Sequence, residues 1–265
     1  MISNNIVLFD MDGTLTEPRD KFNTELLLDL RKLSNHTEIG ILSGADFPDI
    51  EKQLLKLIKF SEVRFKMHLL PCNGTKHYKP PEYSYDEYIA CHENDMKKEL
   101  GESCFKEVFK IITHTQAEAC YYSIPLTGHF INYRGSMINF CPIGRNASKA
   151  ERAEFIKYDS KNNFRNMLIK KIDNKLNTTC PNKVVVKAGG QTSIDIYPTG
   201  WDKTYALKHF EGRTCWFVGD ACHEGGNDYE IYELLKKEGR AFHTKSPFHT
   251  GEIIRNEILP KLTHP

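Results

Sequence analysis

The stretch that most narrows the options is 6–16, Ile-Val-Leu-Phe-Asp-Met-Asp-Gly-Thr-Leu-Thr. Ile6, Val7, Leu8 and Phe9 are consecutive and apolar, as a strand must be when both faces of a parallel sheet are covered. Asp10 ends the run, a second carboxylate follows at Asp12, and Gly13 permits a sharp turn. Carboxylates at the mouth of a buried strand stand in the crevice where open α/β folds carry their chemistry. Two acids so close do not share one environment. One can stay ionised as nucleophile or metal ligand while the other carries protons. An Asp-rich turn closing a strand is the plain alternative. The apolar run before it and Gly13-Thr14 after it favour chemistry.

A chain of 265 residues can bury a full core as one large domain or two small ones. With 36 basic and 35 acidic residues the net charge is +1, so no global field selects nucleic acid or an anionic membrane. Any preference for anions must be local. The eight cysteines (72, 91, 104, 120, 141, 180, 215 and 222) form no Cys-x-x-Cys and no zinc-like pairing with histidine, and most fall in apolar segments as buried thiols do. The first residues do not form a signal peptide, and no apolar run approaches membrane-spanning length. A reduced, cytoplasmic enzyme is the expected setting.

Apolar spacing predicts a helix over 20–33, a buried strand over 38–42 ending at Ser43-Gly44, and a helix capped by Asp46 that runs to about 58. A strand over 66–70, the turn dipeptide Asn73-Gly74 and a segment 75–78 follow. This alternation means a parallel sheet. After Pro80-Pro81 the character changes. A charged helix is expected over 83–100, closed by Gly101, and another to about 117. Strands over 129–134 and 137–141 are joined by a Gly-Ser loop, and Ser148 with Glu151 fits a capping box. Asp159 is placed to cap a further helix reaching 176, and 184–187 pairs with 192–197 as a hairpin. From Trp201 the α/β style returns: a helix over 202–210, a buried strand over 215–218 ending in Gly219-Asp220, a helix from 227 to about 237, a short strand over 240–243 and a final helix. The expected plan is an α/β core from 1–84 and 198–265 with an α+β insertion over 85–197.

Three core strands thus end in loaded turns: Asp10 and Asp12, Ser43-Gly44, and Gly219-Asp220. With Lys203 at the start of a helix, the inventory suits phosphoryl chemistry. Asp10 can be nucleophile and Asp12 acid and base. Asp10, Asp12 and Asp220 offer the oxygen ligands that Mg²⁺ prefers. Ser43, Lys203 and the amides after Asp10 can steady phosphate oxygens. Taken singly, Ser43 is a turn residue, Lys203 a solvated helix residue and Asp220 a cap. In the insertion, Arg145 and Arg152 flank the start of the capping-box helix, where free amides already favour an anion, and Arg134 ends a strand. Ser193 and Asp195, two apart, share a strand face opposite Ile194 and Ile196. The plain alternative for these arginines is surface ion pairing.

Asp-x-Asp-Gly-Thr-x-Thr at 10–16, Ser43, Lys203 and Gly219-Asp220 with Gly225-Gly226-Asn227-Asp228 resemble the haloacid dehalogenase superfamily of aspartate-nucleophile phosphotransferases. More specific runs resemble its eukaryotic-type phosphomannomutase family: Pro18-Arg19, Arg134-x-x-Met137, Pro142-Ile143-Gly144-Arg145, Glu151-Arg152, Gly189-Gly190-Gln191-x-Ser193-x-Asp195 and Pro198-x-Gly200-Trp201-Asp202-Lys203. The resemblance implies a Rossmann-like α/β core with a parallel sheet and an inserted α+β cap of type C2b. It also implies that Arg19, Arg134, Arg145, Arg152, Ser193 and Asp195 bind the substrate phosphate remote from the chemistry. Further implications are Mg²⁺, a hexose 1,6-bisphosphate activator, hexose phosphate substrates serving GDP-mannose biosynthesis, and a homodimer formed through the cap.

The implied reaction is in-line attack by Asp10 on a sugar phosphate, with Asp12 protonating the leaving oxygen and later deprotonating the incoming hydroxyl. Closure of the cap would exclude water. A phosphosugar phosphatase of the same superfamily and a non-catalytic sugar-phosphate sensor are the competing readings, the latter having little need of two acids. Ala45 stands where the family usually has a second serine, and 233–237 replaces an acidic turn that binds a further ion in some members, so that ion is not expected.

Overall fold

A computed structural model describes residues 4–263. The chain forms two compact units, Met1–Glu93 with Trp201–Pro265, and Asn94–Gly200.

In the first unit, β1 (Asn5–Phe9) is buried except at its first residue. The helix expected over 20–33 forms only as a 3-10 turn at Thr24–Leu26 and α1 (Leu27–Ser34), because Asn23 caps it by accepting the Glu25 N–H. β2 (Glu38–Leu42) follows, then α2 (Phe47–Gln53), whose N-cap Asp46 accepts the Asp49 N–H, and α3 (Leu55–Phe60) after a break at Leu54. β3 (Met67–Leu70) and β4 (Lys76–Lys79) flank a turn in which Cys72, Asn73 and Gly74 all take positive φ. β5 (Ile89–Glu93) replaces the first half of the helix expected over 83–100. Its five residues, Ile-Ala-Cys-His-Glu, are too few to separate the strand period from the helix period.

The second unit opens with α4 (Met96–Ala119), two helical stretches divided at Gly101, whose non-helical backbone (φ 75°, ψ 158°) closes the first as expected. β6 (Ile131–Tyr133) and β7 (Ile138–Phe140) form the expected hairpin around Gly135-Ser136. The capping box at Ser148 and Glu151 opens α5 (Lys149–Asn162), and α6 (Phe164–Thr179) follows across a left-handed Asn163. Asp159 lies within α5 yet still caps the next helix: its carboxylate accepts the Arg165 N–H at 2.7 Å. β8 (Val184–Gly189) and β9 (Ser193–Pro198) complete an antiparallel sheet of order β6-β7-β9-β8. Ile138, Phe140, Ile194 and Ile196 are fully buried with Val108, Ile112 and Ile172 of α4 and α6. Cys104 and Cys180 are disulfide-bonded, and Cys91 and Cys120 are exposed, so these four depart from the expected set of buried thiols. No spacing marks a pair 76 residues apart.

The chain returns to the first unit through a 3-10 helix (Lys203–Phe210), β10 (Thr214–Gly219), α7 (Tyr229–Lys236) and β11 (Ala241–His243). α8 (Pro247–Ile253) continues through a π turn into α9 (Leu259–Thr263). The sheet order is β11-β10-β1-β2-β3-β4-β5, parallel through β3 and antiparallel beyond it. Residues 85–93, expected in the insertion, therefore contribute a strand to the core sheet, and the unit boundary lies after Glu93. From β1 the chain runs outward to β5 on one side and returns to β10 on the other. This reversal of strand order creates a crevice at the carboxyl ends of β1 and β10. Among the described residues no helix is long and apolar enough to cross a membrane.

Candidate active site

Asp10 leaves the end of β1 with its N–H bonded to the Val218 carbonyl at 2.9 Å. That bond places it directly beside the Gly219-Asp220 turn at the end of β10. The turn after it wraps around one carbonyl: the N–H groups of Thr14, Leu15 and Thr16 all donate to Met11 O. Gly13, at φ +85°, is required twice over. Its backbone is left-handed, and a Cβ there would stand 2.4 Å from an Asp220 carboxylate oxygen.

Lys203, in the first turn of the 3-10 helix and fully buried, donates to the carboxylates of Asp10 and Asp228, the latter at 2.6 Å. Asp228 is completely buried, and its second oxygen accepts the Ala221 N–H at 3.0 Å. Burial pushes the Asp10 carboxyl well above the ordinary carboxylate range; Lys203 opposes that push, and Asp228 and Asp220 add to it. Burial also works to neutralise Lys203, but Asp10 and Asp228 override it and hold the ammonium charged. Burial and then Asp228 raise Asp220 to about 6.

Oxygens of Asp10, Asp220 and Asp228 lie within 4.8 Å of one another. Three carboxylates against one ammonium leave excess negative charge in a low-dielectric site, and all the donors are hard oxygens. The residues present therefore fit a divalent cation of the Mg²⁺ or Ca²⁺ type. The sequence pointed to Asp10, Asp12 and Asp220 for this role. Asp12 stands beside that group, in the turn that curls around Met11 O, and its Oδ1 accepts the Arg19 N–H at 2.6 Å. Arg19 itself is held at φ 58°, a strained conformation for a non-glycine residue. It belongs to the core unit, not to the insertion that carries the other arginines.

Ser43, buried at the end of β2, accepts the Ala45 N–H at 3.1 Å through its hydroxyl. Its carbonyl receives the N–H of Asn73, whose side-chain amide donates to the Trp201 carbonyl at 3.3 Å. The Asn73-Gly74 turn thereby braces the segment that leads to Lys203.

The insertion carries a second polar set. Asp195 sits on β9 opposite Asn139 of β7, and the Asn139 amide donates to its carboxylate at 2.6 Å. The Asn139 carbonyl oxygen accepts from Arg145 at 3.0 Å. Arg152, in the first turn of α5, donates to the Gln191 side chain at 2.9 Å. Ser193 donates to the Gly189 carbonyl at 2.7 Å, and Arg134 is buried at the β6–β7 turn. Arg145 and Arg152 together with a capped helix N-terminus make this region suitable for an anion.

Sequence reasoning gave no role to Asp228 and Gln191, which stand in the runs that carry the resemblance, and passed over Asn139. Asp228 carried a signal, a carboxylate in a Gly-Asn-Asp turn after a loaded strand end. Asn139 carried one too, as the polar residue within the apolar run 137–141.

Comparison with known proteins agrees with this geometry. A family model described as eukaryotic phosphomannomutase matches residues 26–260. Over 259 residues the chain is 36% identical to a phosphomannomutase of Dendrobium officinale, covering 97% of this chain and 95% of that one. Identity to phosphomannomutase 2 of Dictyostelium discoideum is 34% over 262 residues, covering 97% and 98%. Among solved structures, a truncated, IMP-bound Plasmodium falciparum IMP-nucleotidase matches with a TM-score of 0.65 at 16% identity, covering 99% of this chain and 69% of that one. The C-terminal domain of a C. albicans trehalose-6-phosphate phosphatase matches with a TM-score of 0.57 at 18% identity, covering 94% and 90%. The two structural likenesses speak for the fold alone, an α/β architecture with a mainly parallel sheet. Matched by the family model over most of its length and by relatives above 30% identity from end to end, the chain belongs to the eukaryotic phosphomannomutase family.

Proposed function

We propose that this chain interconverts mannose 6-phosphate and mannose 1-phosphate, with glucose phosphates as further substrates, through an aspartyl-phosphate and a hexose 1,6-bisphosphate. The observation that carries the proposal is the pairing, in one chain, of a buried carboxylate–lysine cluster with a separate arginine-bearing polar set on the insertion. A phosphatase needs to hold one phosphate. A mutase must accept its bisphosphate by either end, so it needs an anion site besides the one at the nucleophile. Arg134, Arg145, Arg152, Ser193 and Asp195 are assigned to that second site on the insertion; Arg19, in the core unit, is assigned to binding substrate phosphate.

In this reading an Asp10 oxygen attacks phosphorus as the bond from phosphorus to the sugar oxygen breaks. Asp12, its carboxylate held by the Arg19 N–H, gives that sugar oxygen a proton. In the other half-reaction the free hydroxyl of a hexose monophosphate loses its proton to Asp12 as its oxygen takes the phosphoryl group from Asp10. This gives the hexose 1,6-bisphosphate, which turns end for end and yields its other phosphoryl group to Asp10. Lys203 opposes the burial that raises the Asp10 carboxyl and donates a hydrogen bond to it. Lys203, Ser43 and the amides of the turn after Asp10 are assigned to the phosphoryl oxygens. Mg²⁺ held by Asp10, Asp220 and Asp228 would supply neutralisation of charge on the transferring group.

A homodimer formed through the insertion is also proposed, supported by the edge-to-face cluster of Phe105, Phe109 and Tyr133, whose tyrosine is exposed. A cytoplasmic setting is proposed on the six free cysteines among the described residues, with the Cys104–Cys180 disulfide standing against it.

The deciding assay measures hexose 1-phosphate turnover with Mg²⁺, with and without glucose 1,6-bisphosphate. Mutase flux that requires the primer, is lost on chelation and returns with Mg²⁺ is the expected outcome. Phosphate release indifferent to the primer would make the chain a phosphosugar phosphatase.

A further inference from the structure

Two buried threonines from the last part of the core unit reach the turn that follows Asp10. Thr250, in α8, and Thr244, just after β11, are both fully buried. Thr250 Oγ1 lies 2.8 Å from the Thr14 carbonyl oxygen, 3.0 Å from Thr244 Oγ1 and 3.2 Å from the Ser246 carbonyl oxygen. A hydroxyl has one proton to give, and carbonyls only accept. The Ser246 contact is the weak back-bond of a helical threonine to the carbonyl four residues earlier. The Thr14 carbonyl is nearer, so Thr250 donates there, and Thr244 keeps its own proton for the Ser246 carbonyl at 2.9 Å or for Thr250.

Both ends of this pair are anchored at strand ends that bear acids. Thr14 belongs to the turn that wraps around Met11 O, and its own buried hydroxyl makes no hydrogen bond among the described residues, so the backbone carbonyl is its polar handle. The Thr244 N–H donates at 2.8 Å to the carbonyl of Gly219, the residue before Asp220.

We propose that Thr250 is a positioning residue for the nucleophile. Its hydroxyl, backed by Thr244, ties the turn after Asp10 to the turn before Asp220 and so fixes the spacing of the two carboxylates. The proposal rests on the reading of Asp10 as the nucleophile. A side chain in α8, in contact with no reacting atom, would then control the rate of phosphoryl transfer.

Thr250→Val keeps the shape of the side chain and removes the donor, leaving the Thr14 carbonyl and the Thr244 hydroxyl buried without it. In full-length protein with Mg²⁺, primer and mannose 1-phosphate, kcat should fall by roughly ten- to a hundredfold while KM stays within about twofold, as a small misplacement of reacting groups predicts. Amide exchange should quicken in residues 10–16 and remain unchanged across the insertion. Thr250→Ser, which restores the hydroxyl, should recover most of the lost rate. Wild-type kcat and wild-type exchange in Thr250→Val would overturn the proposal. So would a loss accompanied by faster exchange throughout the core sheet, because that marks a merely structural residue. If Thr250→Val does not fold, Thr250→Ala decides on the same two readouts, with unchanged kcat and exchange as the overturning result. If the wild-type protein turns over no hexose phosphate, the mutase reading fails by itself, and the exchange of residues 10–16 still judges Thr250.

Discussion

Replacing Asp10 by Asn removes a charge and an attacking oxygen while keeping the outline of the side chain. Turnover should drop by on the order of a thousandfold or more, with no phosphorylated protein left after acid quench. The melting temperature should not fall. The substitution removes the carboxylate whose burial and proximity to Asp228 and Asp220 oppose its charge, and Lys203 keeps Asp228 as partner. A protein that still turned over hexose phosphate would rule out aspartyl transfer. Asp10, Ser43, Lys203 and Asp220 were legible as candidates because each follows a punctuation that sequence displays, a buried apolar run or a helix start. Asp228 was not, because its role depends on the loop after β10 folding its carboxylate back against Gly219, where a Cβ would stand 2.5 Å from it. Spacing along the chain says nothing of such a return. Asp12 was legible as an acid but not in its orientation, which the curl around Met11 O decides.

Neighbouring elements bring four histidines together: His68 on β3, His77 on β4, His92 on β5 and His209 on the 3-10 helix that begins with Lys203. His68 Nδ1 and His77 Nε2 are 2.9 Å apart, and His209 Nε2 bonds the Gly74 carbonyl at 2.7 Å. Burial, then His68 and His209, push the His77 pKa down to about 3, and burial lowers His209. A hydrogen bond from His68, and then Arg213, draws Glu38 down to about 2. A histidine whose folded pKa lies below its unfolded value binds its proton only on unfolding. The stability it leaves intact above about pH 6.5 is therefore lost as pH falls toward 3, at about 1.4 kcal/mol per pH unit. Glu38 has the same sign over a lower window, from about 4.5 down to about 2. Between pH 6.5 and 5 the urea midpoint should fall by the equivalent of roughly 2 kcal/mol, and in His77→Leu this dependence should largely vanish. An unchanged slope in that variant would place the acid lability elsewhere. The array was invisible beforehand because 83–100 read as a helix, which put His92 outside the sheet. Elements with continuous apolar runs, β1, β2, β3 and β10, were read correctly to within about one residue. The mixed segment 89–93 could not be, since its pattern serves either period.

The whole molecule is an α/β core interrupted by an antiparallel α+β unit, and sequence revealed the interruption, placing its first boundary after 84 where the unit ends at Glu93. If the insertion dimerises as proposed, the full chain should sediment at twice the mass of one polypeptide at micromolar concentration, and Tyr133→Lys should shift it to the monomer; a wild-type monomer there would refute that proposal. The order of the strands has one more consequence. Asp10 and Lys203 are 193 residues apart, and β10, the neighbour of β1 on its open side, is made only after the entire insertion. During synthesis the insertion is contiguous and can close its hydrophobic interior while the first half of the core still awaits a central strand and the counter-charge for its acid. A chain that stops short of Lys203 therefore leaves one edge of β1 without its neighbour and Asp10 without its counter-charge.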